Sequence, residues 1–561
     1  MFIPHLFYIL LFSVPLVLFP KTSELFEFNK IIVVYIFTAL IVSSWIIKAV
    51  LEKKITFRRT ILDIPLLVFV GSQFLSTLFS IDQRTSLLGY YGRFNGGLLS
   101  TICYSLLYWA YVSNMDYKKT LSAIRYTLFA ATLVAIYGIL QRFGIDKNVW
   151  EQDVVNRVFS TLGQPNWLAA FIVALLPLAM SYSIFNKFSD SKFLISIIMS
   201  ALFFTTLLFT KSRSGLLGFI VADVIFWGVL LLKYKKEFLK EFIIHNSLFL
   251  ILILIIGTPW TTSIVGKSEG ARLPALEAAG DSGQGTESGE IRKIVWKGAY
   301  EIWKHYPLFG SGAETFAYSY YNFRPAQHNL VSEWEFLYNK ALNYLANTGT
   351  VGLLAYLILI SFSTYQILKN SKIPRFQDSK QIENKNFKFD NFKLLGDLEF
   401  LRFGVFAGYI SILVSNFFGF SVVAVSLLSF LFPAMAVALS EERKISEKLN
   451  KNLSNSQKAL IVLTLFTLTY TLYAISKYWY ADVLYSQGKA KNRTGDFVTG
   501  SQNLTSAVSF SPNEAIFWDE LAYSMSQAAV AFDENSQKAE AVDFAQKATD
   551  YSKVATSLSP R

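Results

Sequence analysis

An all-α integral membrane protein is the fold class this sequence predicts, and three observations carry it. The 561 residues are 53% hydrophobic and only 16% charged, against about 25% charged for an average soluble domain. About thirteen apolar runs of roughly 17–25 residues divide the chain, each enough to cross ~30 Å of hydrocarbon at about 1.5 Å per residue. The positive charge falls in alternate loops between those runs. Fifty Phe and 29 Tyr point the same way, because aromatic rings suit lipid contact and interfacial belts.

The runs begin near His5, Ile31, Ile61, Gly97, Thr120, Asn166, Phe193, Gly215, Ile243, Asn343, Leu401, Val422 and Ala459. The first stretch, Phe2 to Phe19, lacks a basic start and a small-residue cleavage site, so it reads as a retained span and not a signal peptide. Lys53, Lys54, Arg58 and Arg59 share one loop, Lys118 and Lys119 another, then Lys187 and Lys192, then Lys233, Lys235, Lys236 and Lys240. Lys369–Lys393 and Arg443–Lys451 continue the series. With the N-terminus cytoplasmic, all of these fall on the cytoplasmic side, and an odd number of spans leaves the C-terminus outside.

One outward loop, 260–342, is far longer than the rest and holds Arg272, Arg292, Arg324, His305 and His328. Within it, Lys267–Gly289 is rich in Gly, Ser, Glu and Ala without apolar periodicity and reads as a mobile insertion. Ile291, Ile294, Val295, Ala299, Ile302 and Trp303 then recur at helical spacing, which predicts an amphipathic helix ending before Pro307. The organisation expected is a polytopic membrane domain over 1–479 and an extracytoplasmic helical tail over 480–561. In the tail, Ala507, Ser509, Phe510 and Pro512 are matched by Ala555, Ser557, Leu558 and Pro560. That pattern resembles tetratricopeptide-type repeats, here incomplete because a second repeat has only just opened. A plain helical hairpin packed on the spans is the alternative.

Several classes are excluded. The single cysteine, Cys103, forbids an intramolecular disulfide and a cysteine-based metal cluster. Four histidines argue against a multi-histidine metal site. The net charge of +12 lies in short loops between spans, which is membrane topology and not a nucleic-acid footprint. No nucleotide motif, phosphate-binding glycine loop, metal spacing or serine elbow is present. An enzyme built on this chain needs no cofactor, provided its donor brings its own activated leaving group.

Arginines at the membrane edge are the sharpest chemical signal, since a charge near the bilayer is costly unless paired or wet. "FTKSRSGLLG" puts Lys211 and Arg213 in a tight turn where small residues free the N–H groups of the next helix, a ready anion site. Arginine also binds phosphate through a planar fork of donors. Arg93 lies in "GYYGRFNGG", Arg157 precedes Gln164 and Asn166, Arg292 opens the loop helix, and Arg324 precedes Pro325. Each taken singly also fits a solvated interfacial arginine; together they fit a large anion bearing phosphates. For proton transfer, His328 in "RPAQHNL" is a better candidate than His305, whose place at a helix C-terminus suits the dipole.

The chain resembles the O-antigen ligase and polymerase superfamily, membrane glycosyltransferases that use polyprenyl-diphosphate-linked sugars. The resemblance rests on "STLGQPNWLAAFIVALLPLA", "TKSRSGLLGFIVA", "IRKIVWKGAYEIWKHYPLFGSGAETF" and "LYNKALNYLANTGTVGLLAYL". It implies a lipid-donor (GT-C-like) glycosyltransferase fold without metal or nucleotide, in the cytoplasmic membrane of a bacterium. It also implies that Arg213 and Arg292 hold the diphosphate, with a loop histidine assisting the acceptor. Family members read Lys-Ala-His-Asn-Glu-(aromatic)-Leu-Asn where this chain has Lys340-Ala341-Leu342-Asn343. The gap of about four residues is ~400° of helix, so the phase beyond it survives while the usual histidine is lost. His328 or Tyr338 takes over, or arginine positioning suffices, or the chain is inactive.

The expected activity is transfer or polymerisation of a glycan from an undecaprenyl-diphosphate carrier at the outer membrane face. The acceptor is a glycan, a lipid or a protein, and the tail offers a surface for a protein partner. Arg213 and Arg292 bind donor, with Arg93, Arg157, Lys211 and Arg324 as helpers and His328 and Tyr338 as catalytic candidates. Two alternatives stand beside it: a flippase of lipid-linked glycans, which usually shows repeated spans, and an inactive relative that binds such glycans.

Overall fold

The computed structural model describes residues 2–184, 191–235, 237–260, 288–326, 340–369, 388–440 and 453–559. Among these the regular structure is helical and no strand is present; Tyr90 and Arg93 form an isolated bridge. This follows from the hydropathy pattern: inside lipid, backbone groups have no water to bond, and a helix satisfies them within one segment.

The membrane part runs α1 (Ile3–Ser13), α2 (Glu27–Leu51), α3 (Asp63–Leu78), the short α4 (Gln83–Leu88), α5 (Leu98–Asn114), α6 (Tyr117–Arg142) and α7 (Pro165–Ile184). It continues with α8 (Ser191–Phe209), α9 (Arg213–Tyr234) and α10 (Leu239–Ile256). The loop helices α11 (Ser288–His305) and α12 (Phe316–Phe323) follow, then α13 (Lys340–Lys369), α14 (Lys388–Phe418), α15 (Val423–Ala438) and α16 (Asn455–Arg493). Each apolar run read from the sequence coincides with one of these helices. Eight are long and apolar enough to cross a membrane: α2, α6, α7, α9, α10, α13, α14 and α16. Four shorter apolar helices correspond to α1, α3, α8 and α15. The remaining one, α5, carries Ser100, Thr101, Tyr104, Ser105, Tyr108 and Tyr111, all buried; protein surrounds it, so its polar content costs little.

The centre of the bundle is α7, which packs against α8, α9 and α14. Two glycines one helical turn apart let α14 lie on it: a Cβ at Gly408 would stand 2.2 Å from the Ala174 carbonyl oxygen, and one at Gly404 3.1 Å from that of Pro177. Such G-x-x-x-G approach lets helix backbones touch where lipid supplies no hydrophobic drive. By contrast α10 and the first part of α16 leave Leu250, Ile251, Leu254, Val462, Leu463 and Phe466 exposed, which is the surface a lipid-facing helix presents.

The predicted loop helix is α11, its apolar stripe Val295, Ala299 and Ile302 buried against Phe316, Tyr320 and Ala346. The segment after it, Pro307 to Glu314, docks on a break in α13. Ser311 and Gly312 N–H donate to the Ala346 and Asn347 carbonyls (3.0 and 2.8 Å), and Thr350 N–H donates back to Pro307 (2.9 Å). The break is at Gly349, with φ 66° and ψ −167°. A Cβ there would stand 2.3 Å from the Leu308 carbonyl oxygen. The predicted insertion Lys267–Gly289 falls outside the described residues, save its last two.

The last membrane helix does not stop at 480. α16 is one 39-residue helix, about 58 Å long at 1.5 Å per residue, so it crosses the bundle and projects beyond it. Its distal end, with α17 (Phe497–Phe510), α18 (Ala515–Glu534) and α19 (Lys538–Leu558), forms a second core around Tyr485, Leu504, Phe517 and Leu521. Successive helices in this tail pack as neighbours, α16 on α17, α17 on α18, and α18 on α19.

Gly349→Ala should lower thermal stability by about 1–3 kcal/mol, because its backbone conformation is open essentially to glycine alone. Melting of the detergent-solubilised protein measures this, and an unchanged midpoint would show that the break relaxes freely.

Candidate functional site

A cavity of about 420 Å³ opens at one face of the bundle. Its walls come from α2 (Glu27), α3 (Phe69, Gln73), the segment before α5 (Tyr90, Arg93, Asn95), α7 (Asn166, Trp167), α9 (Ser214), the docked segment (Glu314), α13 (Asn343, Tyr344, Asn347) and the α14–α15 turn (Phe420, Ser421). The volume lies in the range of small-molecule sites. The lysine-rich turns Lys53–Lys54, Lys118–Lys119 and Lys233–Lys235 lie at the opposite ends of the same helices.

The chain's alternation explains what gathers here. α2, α5, α7, α9 and α15 all begin at this face, and each places residues of its first turns in the cavity wall. Helix N-termini carry unpaired N–H groups and partial positive charge, so the face is predisposed to anions. Some of these ends are capped by protein groups. Ser212 Oγ accepts from Gly215 N–H at 3.1 Å, Glu24 accepts from Phe26 and Phe28 N–H, and Glu27 Oε2 accepts from Val423 N–H at 2.7 Å. α5 follows Gly97 and has no side-chain cap.

The charged side chains fall in two groups. In the cavity, Arg93 lies over the Phe420 ring with its guanidinium carbon 5.4 Å from the centroid. Buried Glu27 sits close enough to feel its charge and is held by Lys30, 3.8 Å away, whose ammonium donates to the Thr161 carbonyl at 2.8 Å. Glu314 lies against Gly96, where any Cβ would collide with its carboxylate. Asn95 anchors the segment, donating to Ser421 O (2.7 Å) and Ser426 Oγ (3.0 Å) and accepting from Tyr104 (2.5 Å).

The second group flanks the cavity at the α8–α9 turn. Arg157 Nε donates to the Thr210 carbonyl at 3.1 Å, and its guanidinium reaches Asn166 Oδ1 at 3.5 Å. Asn166 Oδ1 also accepts from Ser212 Oγ at 2.8 Å, and Lys211 donates to Asn156. Lys211 sits in the left-handed backbone region (φ 50°). Shielding from water by the turn, then repulsion from Arg142 and Arg157, holds its ammonium below the ordinary lysine value, while Asp153 opposes. A lysine held among arginines is a site that gains from an incoming anion.

Of the residues selected from the sequence, Arg93 lines the cavity. Arg213, the first residue of α9, stands beside the cavity-lining Ser214; Arg157 connects to the wall through Asn166, whereas Lys211 turns to Asn156. Arg324 lies apart at the end of α12, its guanidinium 5.5 Å from the Tyr321 centroid. Arg292 belongs to α11, with only its backbone among the described residues; His328 and Tyr338 lie outside them. Sequence reasoning passed over Glu27, Glu314 and Asn95. Glu27 had a readable signal: it is an acid opening a 25-residue apolar span, and ionisable groups in spans call for a reason.

Fold and cavity together define a multi-pass, all-α membrane protein whose cavity mixes aromatic walls with polar groups and Arg93 at one face. Residues 198–357, from within α8 to within α13, match the family described as O-Antigen ligase. Over that stretch the match supports the O-antigen ligase superfamily, a family of glycan transferases. The matched stretch supplies Ser214, Glu314, Phe316, Asn343, Tyr344 and Asn347 to the cavity wall. No curated protein matches the chain.

Binding of inorganic diphosphate should weaken as pH rises through the lowered titration of Lys211, because only the protonated ammonium attracts the anion. Lys211→Arg, which stays charged, should remove that alkaline decline. Titration calorimetry across pH 7–10 reads it, and parallel profiles for both proteins would exclude Lys211 from anion binding.

Proposed function

We propose that this protein moves a glycan from an undecaprenyl-diphosphate carrier to an acceptor at the outer face of the cytoplasmic membrane. The observation that carries the reading is the cavity itself: ringed by helix N-termini, lined by Arg93, with Arg213 next to its wall residue Ser214 and Arg157 bonded to its wall residue Asn166. A diphosphate joined to a long apolar chain needs a site of this kind, with cations at the headgroup and hydrocarbon beside it. The lysine-rich turns at the other helix ends favour an outward cavity.

In the reaction, an acceptor hydroxyl oxygen bonds to the anomeric carbon while the bond from that carbon to the diphosphate oxygen breaks. The electron pair leaves on undecaprenyl diphosphate. The arginines stabilise charge that grows on the departing group, often the largest catalytic contribution. In this reading Arg213 and Arg292 hold the diphosphate, Arg93 and Arg157 assist, and His328 or Tyr338 accepts the acceptor's proton. Lys211 and Arg324 are further substrate-binding helpers, and the tail recruits a protein partner through a tetratricopeptide-like surface.

The test is purified protein with a fluorescent undecaprenyl-diphosphate oligosaccharide. Release of undecaprenyl diphosphate should fall about 10–100-fold in Arg93→Ala, Arg213→Ala and Arg292→Ala, the loss of one charge-assisted contact each. A comparable loss in His328→Ala would identify the base. Tight donor binding without turnover under every acceptor would replace the transferase reading with that of an inactive glycan-binding relative.

A further inference from the structure

The segment that carries Arg93 is gripped from its other side by the tail. Tyr90 and Arg93 face the cavity, and Arg93 N–H donates to the Tyr90 carbonyl at 2.7 Å, closing a turn. Tyr91, between them in sequence, goes the opposite way. Its hydroxyl donates to Asp482 on the distal part of α16. Its ring meets Tyr485 and Phe517 edge-on, with centroids 6.0 and 5.8 Å away. Asp482 is fully buried and also accepts from the Ser23 backbone N–H at 2.9 Å.

A second buried acid grips the same segment. Glu514, just before α18, pairs with Arg84 of α4, whose Nε donates to it at 3.1 Å. The Tyr478 hydroxyl donates to Glu514 at 3.0 Å. The Arg84 guanidinium in turn lies over the rings of Tyr91 and Phe94, 5.9 and 5.7 Å from their centroids. Burying carboxylates costs several kcal/mol unless their partners are fixed. Ser23 and Tyr478 hold Asp482 and Glu514 in place, and the bonds from Tyr91 and Arg84 to these fixed acids last only while residues 84–94 keep their present course.

We propose that Asp482 and Glu514 are positioning residues for Arg93, so that the tail forms the back of the site and sets the geometry of the cavity's arginine. This rests on the reading of the cavity as a diphosphate site. Whatever shifts the distal part of α16 or the start of α18 then changes donor affinity through Tyr91 and Arg84, with no contact to donor.

The experiment uses the full-length protein in nanodiscs with Tyr91→Phe, which keeps the ring, and Glu514→Gln, which keeps the shape. Hydrogen exchange of amides 89–97 is measured first and should quicken about tenfold or more, the loss of one charge-assisted bond. Binding of labelled undecaprenyl diphosphate is measured second. Tyr91→Phe should weaken it in the native background and add nothing in Arg93→Ala. Unchanged exchange at 89–97, or a Tyr91→Phe effect that persists in full beside Arg93→Ala, overturns the proposal. Failure of the native protein to bind undecaprenyl diphosphate would overturn the diphosphate reading instead, and exchange at 89–97 would still decide whether the tail holds the segment.

Discussion

Everything in this structure depends on where helix ends are allowed to be. Facing hydrocarbon a helix cannot end, because its terminal N–H and C=O groups would go unsatisfied unless protein or water receives them. Each end therefore emerges at one face or the other, and a chain that crosses repeatedly collects alternate N-termini on the same side. Here α2, α5, α7, α9 and α15 all begin around one cavity. The polar character of that face is therefore a consequence of topology before any charged side chain is added.

The side chains then divide the field unevenly. Glu27 caps α15 through Val423 and is compensated by Lys30, so one helix end is neutralised at the cavity floor. Among the described residues no acid caps α9, whose first residue is Arg213; the turn before it carries Lys211, and Arg157 from the α6–α7 connection bonds to that turn at Thr210. The cations Lys211 and Arg157 thus lie at the α8–α9 turn, while beside α2 Glu27 faces Lys30 and Arg93. A ligand with a charged end and a neutral polar end has a preferred direction in such a cavity. The glycine-dependent docking of Ser311 and Gly312 on the α13 break brings Glu314 and Asn347 to the same wall, so the long loop contributes to the site through backbone bonds.

The tail shows how an element that reads as an appendage in sequence becomes structural. α16 joins membrane and tail without a break, and a rigid helix transmits its orientation along its whole length. Its distal residues Asp482 and Tyr485 meet the segment 84–94 through a buried acid and an edge-on ring, and Glu514 before α18 adds a second acid. Two cores, one within the bundle and one in the tail, are joined by Tyr91, which packs against both.

The sequence by itself determined the helical membrane class, each apolar helix and the loop helix α11. Those follow from hydrophobic periodicity and length, which act locally. It also showed arginines at the membrane edge, since a charge beside an apolar run is visible in one dimension. Which of them share a site was decided only by tertiary structure: Arg93 joins Phe420 and Glu27, both far from it in sequence, while Arg324 goes elsewhere. Glu27 was legible as an acid opening a span, but its cap on Val423 was not, because that bond spans 396 residues. The grip of Asp482 on Tyr91 was equally invisible, for long-range polar pairing leaves no period in the sequence. Local physics wrote the helices; the packing of their ends made the site.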